Sequence, residues 1–311
     1  MNKPIDSTQM VELKPAAGIT QLEIDQRVFD LYDEYCHGKF DRREFLSREA
    51  SLTVAVGTGL AMAQALLPRY AQAQMIEFTD TRIKANYVNY PSPGGNSGSM
   101  RGYLVQPAGT GTFPAVLIVH ENRGLNPYIE DVARRAAVDG FLALAPDGLF
   151  PVGGYPGNDD DGRTLQGNLD QVKLRTDLVN SAEFLRMHKL STGKLGATGF
   201  CFGGGFVNYL ATAMGDKLQA AAPYYGVAAE TTQVGKIKAA LLCHLAGTDE
   251  RVNATYPAYA AALKAQKNRH EIQTYAGTQH GFHNNSTPRY DKAAAALSWS
   301  RTVAHFKKYL A

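Results

Sequence analysis

Short apolar runs alternate with longer helix-like segments from Arg101 to the C-terminus, and this alternation restricts the fold more than any other feature. Residues 115–119 are uninterruptedly apolar, as expected of a strand buried on both faces. Further strands are predicted at 103–105, 141–145, 195–199, 220–225, 239–246 and 271–275. A helix is predicted from Asn126-Pro127: Asn caps, Pro fits the first turn, Glu130 and Asp131 suit the positive end, and Gly140 stops it. Further helices are predicted over 169–188, 203–214, 256–267 and 291–309, whereas 151–168, rich in Gly, Asp and Pro, reads as a long surface loop. Strands separated by helices of this length imply an α/β class fold, a doubly wound, mostly parallel sheet flanked by helices.

Composition removes several function classes. With 44% hydrophobic and 20% charged residues the chain is neither collagen-like, coiled-coil nor wholly disordered. Its 32 basic and 29 acidic residues nearly balance, and no basic block or aromatic RNA-binding run is present, so nucleic acid is not an expected partner. Cys36, Cys201 and Cys243 are too few for a disulfide framework and too scattered for a zinc site. Asp159-Asp160-Asp161 lacks calcium-loop spacing and reads as solvated loop, so no metal is expected.

The N-terminal part has a different character. Arg42-Arg43 is followed by Phe45-Leu46, a weakly apolar stretch over 50–67 and the small-x-small sequence Ala71-Gln72-Ala73. That order describes a twin-arginine export leader over 1–73, with 74–311 as one α/β domain. Its partner would be the twin-arginine machinery and its destination the periplasm, or the cytoplasm if the leader is not functional. The competing reading is an amphipathic helix at 22–35 and an apolar helix, both docked on the domain. The stretch 50–67 is too mild for a membrane span.

In parallel sheets ligands gather at the carboxyl ends of strands, and three predicted strand ends carry reactive side chains. Gly199-Phe200-Cys201-Phe202-Gly203 joins a strand to a helix as a nucleophile elbow, raising Cys201 at a helix N-terminus that favours thiolate. Asp249 and His280 follow two later strands. The order nucleophile, carboxylate, histidine is that of α/β-hydrolases and of neither chymotrypsin nor subtilisin. A thiolate attacking an ester carbonyl produces an oxyanion; the Phe202 N–H and a donor from the turn after 116–119, assigned to Asn122, would meet it.

Gly-Phe-Cys-Phe-Gly-Gly at 199–204, Gly-Thr-Asp-x-x-Val at 247–252, His-Gly-Phe at 280–282 and Val-His-Glu-Asn at 119–122 together resemble the dienelactone hydrolase family over about residues 87–310. The resemblance implies an α/β-hydrolase fold and a small-molecule ester or lactone substrate. It also implies Cys201 as nucleophile, His280 as base and then acid, Asp249 as its orienting carboxylate, and Glu121 as the group that contacts the resting thiol and helps generate the thiolate. No cofactor is needed, since nucleophile, acid–base and oxyanion donors all come from protein. Members that act on a carboxylated lactone clamp it with arginines, one of them four residues after the histidine; here that position is Asn284. Arg123 and Arg163 are the candidate substrate-binding arginines. His283 either lines the pocket or hydrogen-bonds the loop, His120 supports its turn, and Cys243 and His244 belong to the core. Two other functions fit less well: a non-catalytic periplasmic ligand-binding or thiol-sensing domain, and a serine-type peptidase of the same fold. Oligomeric state is left open.

Overall fold

The computed structural model describes residues 26–36, 39–40, 42–53 and 69–311. Eight strands form one sheet: β1 (Ile83–Pro91), β2 (Ser99–Pro107), β3 (Phe113–Val119), β4 (Leu142–Pro146), β5 (Ser191–Phe200), β6 (Ala220–Tyr224), β7 (Ala240–Ala246) and β8 (His270–Tyr275). Their spatial order is β1-β2-β4-β3-β5-β6-β7-β8. The run from β4 to β8 is parallel throughout, and β2 lies antiparallel to both its neighbours. The fold is therefore the expected α/β one.

Ten helices are labelled in chain order: α1 (Gln26–Cys36), α2 (Arg42–Thr53), α3 (Tyr70–Ala73), α4 (Pro127–Val138), α5 (Asp159–Asn168), α6 (Gln171–Arg186), α7 (Phe202–Met214), α8 (Glu250–Asn253), α9 (Tyr256–Ala265) and α10 (Lys292–Tyr309). Leu117 and Val119 of β3 point to a core shared with Leu178, Leu185, Val207 and Leu263 of α6, α7 and α9. Val116 and Ile118 point the other way, to Ile129 and Val132 of α4 and Phe306 of α10. This period of two, apolar on both faces, is why the strand reads as a continuous apolar run. Asn126 does cap α4, its side chain accepting from Ile129 N at 3.2 Å.

Two departures from expectation have physical reasons. Residues 151–168 are not a single loop: a short 3-10 turn at Phe150–Val152 precedes α5, where Asn158 Oδ1 accepts from Asp161 N at 2.9 Å. The three aspartates that suggested solvated loop occupy the first turn of α5, where the helix dipole favours negative charge. Strand β1 escaped prediction because it is an edge strand, pairing only with β2 and showing no clean in–out alternation.

At the N-terminus, α1 and α2 bury Val28, Phe29, Tyr32, Tyr35, Phe40 and Phe45 in a small cluster of their own. Arg42 and Arg43 open α2, and the apolar stretch from residue 54 to 67 lies outside the described residues. Among the described residues no helix is long and apolar enough to cross a membrane. Ala73 is 5% exposed and its carbonyl accepts from Asn285 Nδ2 at 2.5 Å, so processing after it requires the segment to be undocked.

Candidate active site

Cys201 follows β5 directly and stands before α7 with φ 56° and ψ −113°, a strained conformation for a residue with a side chain. Close packing holds it there. A Cβ on Gly199 would lie 2.4 Å from Gly203 O, and one on Gly203 would lie 2.3 Å from Val119 O. Strand and helix can therefore approach only because both positions lack side chains. Cys201 N donates to Tyr224 O at 3.1 Å, and Cys201 O accepts from Gly205 N at 3.0 Å.

The loops after β7 and β8 are fastened to each other, Gly247 N donating to Tyr275 O at 2.9 Å and Thr248 N to Thr278 O at 3.1 Å. That pairing brings Asp249 and His280 together: His280 Nδ1 donates to Asp249 Oδ2 at 2.5 Å. The other carboxylate oxygen caps α8, accepting from Val252 N at 3.1 Å, so capping and orienting the imidazole are simultaneous roles of one side chain. Burial pushes the Asp249 carboxyl up, but the charge and hydrogen bond of His280 outweigh it and hold the group below its ordinary range. Burial acts against a charged His280, yet the negative charges of Asp33, Cys201 and Asp249 keep it well above the ordinary imidazole value. The Tyr225 ring packs 5.0 Å from that of His280.

Glu121 is 1% exposed beyond the end of β3. Asn284 Nδ2 donates to its Oε2 at 3.1 Å. Burial, reinforced by the charge of Cys201, raises its carboxyl pKa, with Arg123 and Arg289 acting in the opposite sense. His120 fixes the turn: Nδ1 donates to Glu121 O at 2.6 Å, while Nε2 accepts from Gly148 N at 3.1 Å. That N–H donor at Nε2 assigns the ring proton to Nδ1. Asn122 and Phe202 flank Cys201 on the wall of a cavity of about 660 Å³.

The remaining substrate-binding candidates lie elsewhere. Arg123 is buried and its Nη1 pairs with Asp159 Oδ2 at 2.7 Å. Arg163 pairs with Asp160 Oδ1 at 3.0 Å and stacks on Tyr35, 4.5 Å from the ring centre. His283 is 1% exposed, with Nδ1 2.7 Å from the Tyr128 hydroxyl. None of the three lines the cavity; its charged lining is Arg175, Glu230, Lys236 and Arg251, beside Phe206, Tyr209, Tyr225 and Val227. These residues were missed from sequence. Tyr225, at the end of a predicted strand, carried a signal; it also has a positive φ of 34°. Arg251, two residues past Asp249, was likewise within reach of the strand-end rule. Cys243 and His244 are core residues of β7, the thiol pushed up to about 12 and the imidazole down to about 3 by burial. Among the described residues no cluster of His, Cys, Asp and Glu could hold a metal ion.

A "Putative hydrolase fragment YghX" of Escherichia coli K12 is 63% identical over 114 residues, covering 36% of this chain and 97% of that protein. A "Putative carboxymethylenebutenolidase" of Aquifex aeolicus is 33% identical over 251 residues, 76% of this chain and 99% of its own. The crystal structure of a "Putative Dienelactone Hydrolase" from Klebsiella pneumoniae superposes with a TM-score of 0.63 at 25% identity, covering 73% of this chain and 100% of that one. Residues 19–55 match a separate family model described as YqhI-like. Residues 100–310 match the dienelactone hydrolase model and contain the elbow and the loops of Asp249 and His280, so the chain belongs to the dienelactone hydrolase family.

Proposed function

We propose that the protein hydrolyses carboxylic esters or lactones through Cys201, His280 and Asp249, by way of a thioester on the sulfur. The observation that carries this reading is the 2.5 Å bond from His280 Nδ1 to Asp249 Oδ2, in a histidine that feels the charge of the elbow cysteine on the cavity wall. With its Nδ1 proton committed to Asp249, the ring keeps Nε2 for the proton of the sulfur. The imidazolium so formed and the N-terminus of α7 both favour the thiolate.

The thiolate then attacks the carbonyl carbon, and its electron pair becomes the new C–S bond while the carbonyl oxygen takes the negative charge. Phe202 N–H and Asn122 are the donors we assign to that oxygen; loss of one such donor costs roughly 2.7–4 kcal/mol of barrier in comparable sites. Collapse breaks the bond to the leaving oxygen, which takes the proton from His280. A water deprotonated by the same ring attacks the thioester, releasing the acid and restoring sulfur and imidazole. Glu121, made less acidic by burial and by the charge of Cys201, suits the carboxyl that meets the resting thiol and helps generate the thiolate when substrate enters.

The relatives' name, carboxymethylenebutenolidase, describes a lactone bearing a carboxylate. In this chain the position of the expected clamp is Asn284, which donates to Glu121. This supports neutral acyl esters and lactones as the substrate class. The test is a panel of short acyl esters and small lactones, read together with an intact-mass scan for an acyl adduct. Turnover with an adduct, both lost in Cys201→Ala, is expected; turnover that survives the substitution refutes the nucleophile.

A further inference from the structure

We propose that Asp33, on the N-terminal helix α1, is a specificity-determining residue of this active site: a fixed carboxylate that offsets part of the site's cationic charge and so lowers its acceptance of anionic acyl groups relative to neutral ones. The proposal rests on the hydrolase reading above and names the residue that sets its preference for neutral acyl groups.

Helix α1 lies across both loops that carry the triad. Gln26 and Gln279 exchange side-chain hydrogen bonds of 3.2 and 2.5 Å, and Gln279 is the neighbour of His280. Gln279 Oε1 also accepts from Thr248 Oγ1 at 2.9 Å, next to Asp249. Two helical turns beyond Gln26, and hence on the same face of α1, stands Asp33. Its Oδ1 is 3.4 Å from Arg289 Nη1 and its Oδ2 is 3.9 Å from Arg251 Nε.

The two arginines belong to the site. Arg251 follows Asp249 by two residues and lines the cavity with Cys201. Arg289 is 2% exposed, stacks 4.7 Å from the Tyr32 ring centre, and packs so tightly on the backbone beside His280 that a Cβ on Gly281 would lie 3.1 Å from its guanidinium carbon. Arg251 on the cavity wall and Arg289 packed against the backbone beside His280 form a cationic pair whose field favours a substrate carboxylate. In this chain that pair faces a carboxylate of the protein itself. The field of Asp33 reaches the reacting groups as well, being felt by both His280 and Asp249. An incoming anion meets a cationic pair with half of its charge offset by Asp33, whereas a neutral ester is indifferent to that offset.

The test uses the full chain, with residues 1–73 verified by intact mass, and two acyl esters of matched length, p-nitrophenyl butyrate and p-nitrophenyl hemisuccinate. Wild type is expected to prefer the butyrate. Asp33→Asn should raise the hemisuccinate-to-butyrate ratio of kcat/KM by roughly tenfold, equivalent to about 1.4 kcal/mol, and added salt should shrink the gain. Asp33→Ser, which removes the same charge, serves if Asp33→Asn does not fold. Tyr35→Phe deletes the hydrogen bond from α1 to Asp160 but keeps the charge, and should leave the ratio unchanged. An unaltered ratio in both Asp33 variants overturns the proposal. So does a ratio that moves equally in Tyr35→Phe, which would assign the effect to docking of the helix. A wild type inert on both esters defeats the hydrolase reading itself, an outcome distinct from an active enzyme with an unmoved ratio.

Discussion

Replacing Asp249 by Asn separates the two tasks of that side chain. One carboxylate oxygen accepts from Val252 N at 3.1 Å and the other from His280 Nδ1 at 2.5 Å. Asparagine has the same shape but a single oxygen, and it caps helices about as well as aspartate. With that oxygen kept on the cap, the amide N–H₂ faces Nδ1, which must then accept. The ring proton moves to Nε2, and His280 can no longer take a proton from sulfur or water. The wrong tautomer costs a serine triad about 10⁴-fold in kcat. A cysteine, acidic enough to ionise with less help, should lose about 10³–10⁴-fold, or roughly 4–5.5 kcal/mol at 1.36 kcal/mol per decade. Stability falls by the lost charge-assisted hydrogen bond, about 1.5–3 kcal/mol. For a domain of this size that is a Tm lower by roughly 2–4 °C per kcal/mol. Asp249→Ala removes the cap as well and should cost about 1 kcal/mol more. Ester hydrolysis under saturating substrate and a thermal melt on the same samples give both numbers. An Asp249→Asn enzyme within tenfold of wild-type kcat, with Tm lowered as described, would show that the tautomer argument is wrong.

Cys201→Ser is expected to keep only a small fraction of wild-type kcat/KM, because a hydroxyl is far less acidic than the thiol this site serves; wild-type-like rates would count against that tuning. Gly203→Ala drives a Cβ to 2.3 Å from Val119 O and 2.6 Å from His120 O, and should cost at least about 1–3 kcal/mol in urea unfolding; a neutral result contradicts the elbow packing. His280, raised in the folded chain, contributes stability that is complete below the free imidazole value near ~6.5 and is lost as pH rises through its folded value. The Tm gap between wild type and His280→Gln should therefore be widest at acid pH and close on the alkaline side, and a gap that widens with pH reverses the sign of this argument.

What the sequence discloses depends on how local the cause is. Strand β3 announces itself because both faces are buried, and α4 because Asn126, Pro127 and Gly140 punctuate it. Cys201, Asp249 and His280 could be singled out because parallel strands deliver their following residues to one edge of the sheet, whatever lies between them in the chain. Strand β1 was silent, since an edge strand buries little. Helix α5 was misread because Asp and Gly are depleted in helix interiors, and the rule says nothing of a first turn. Arg123 and Arg163 were plausible anion binders by residue type alone, but Asp159 and Asp160 pair with them. The contact of Asp33 with Arg289 joins positions 256 residues apart, and no spacing rule encodes it.

His120 ties the carbonyl of Glu121 to the N–H of Gly148, joining the residues that follow β3 to those that follow β4. Burial lowers the pKa of this imidazole, which favours the neutral ring that Nε2 needs to accept from Gly148 N. The segment that carries Glu121 and Asn122 therefore has a strut that burial favours in its uncharged form, whereas His280, in the hydrolysis proposed above, takes up and releases a proton. One kind of side chain thus stands in two settings, a braced turn and a carboxylate-paired loop, and the surroundings tell them apart.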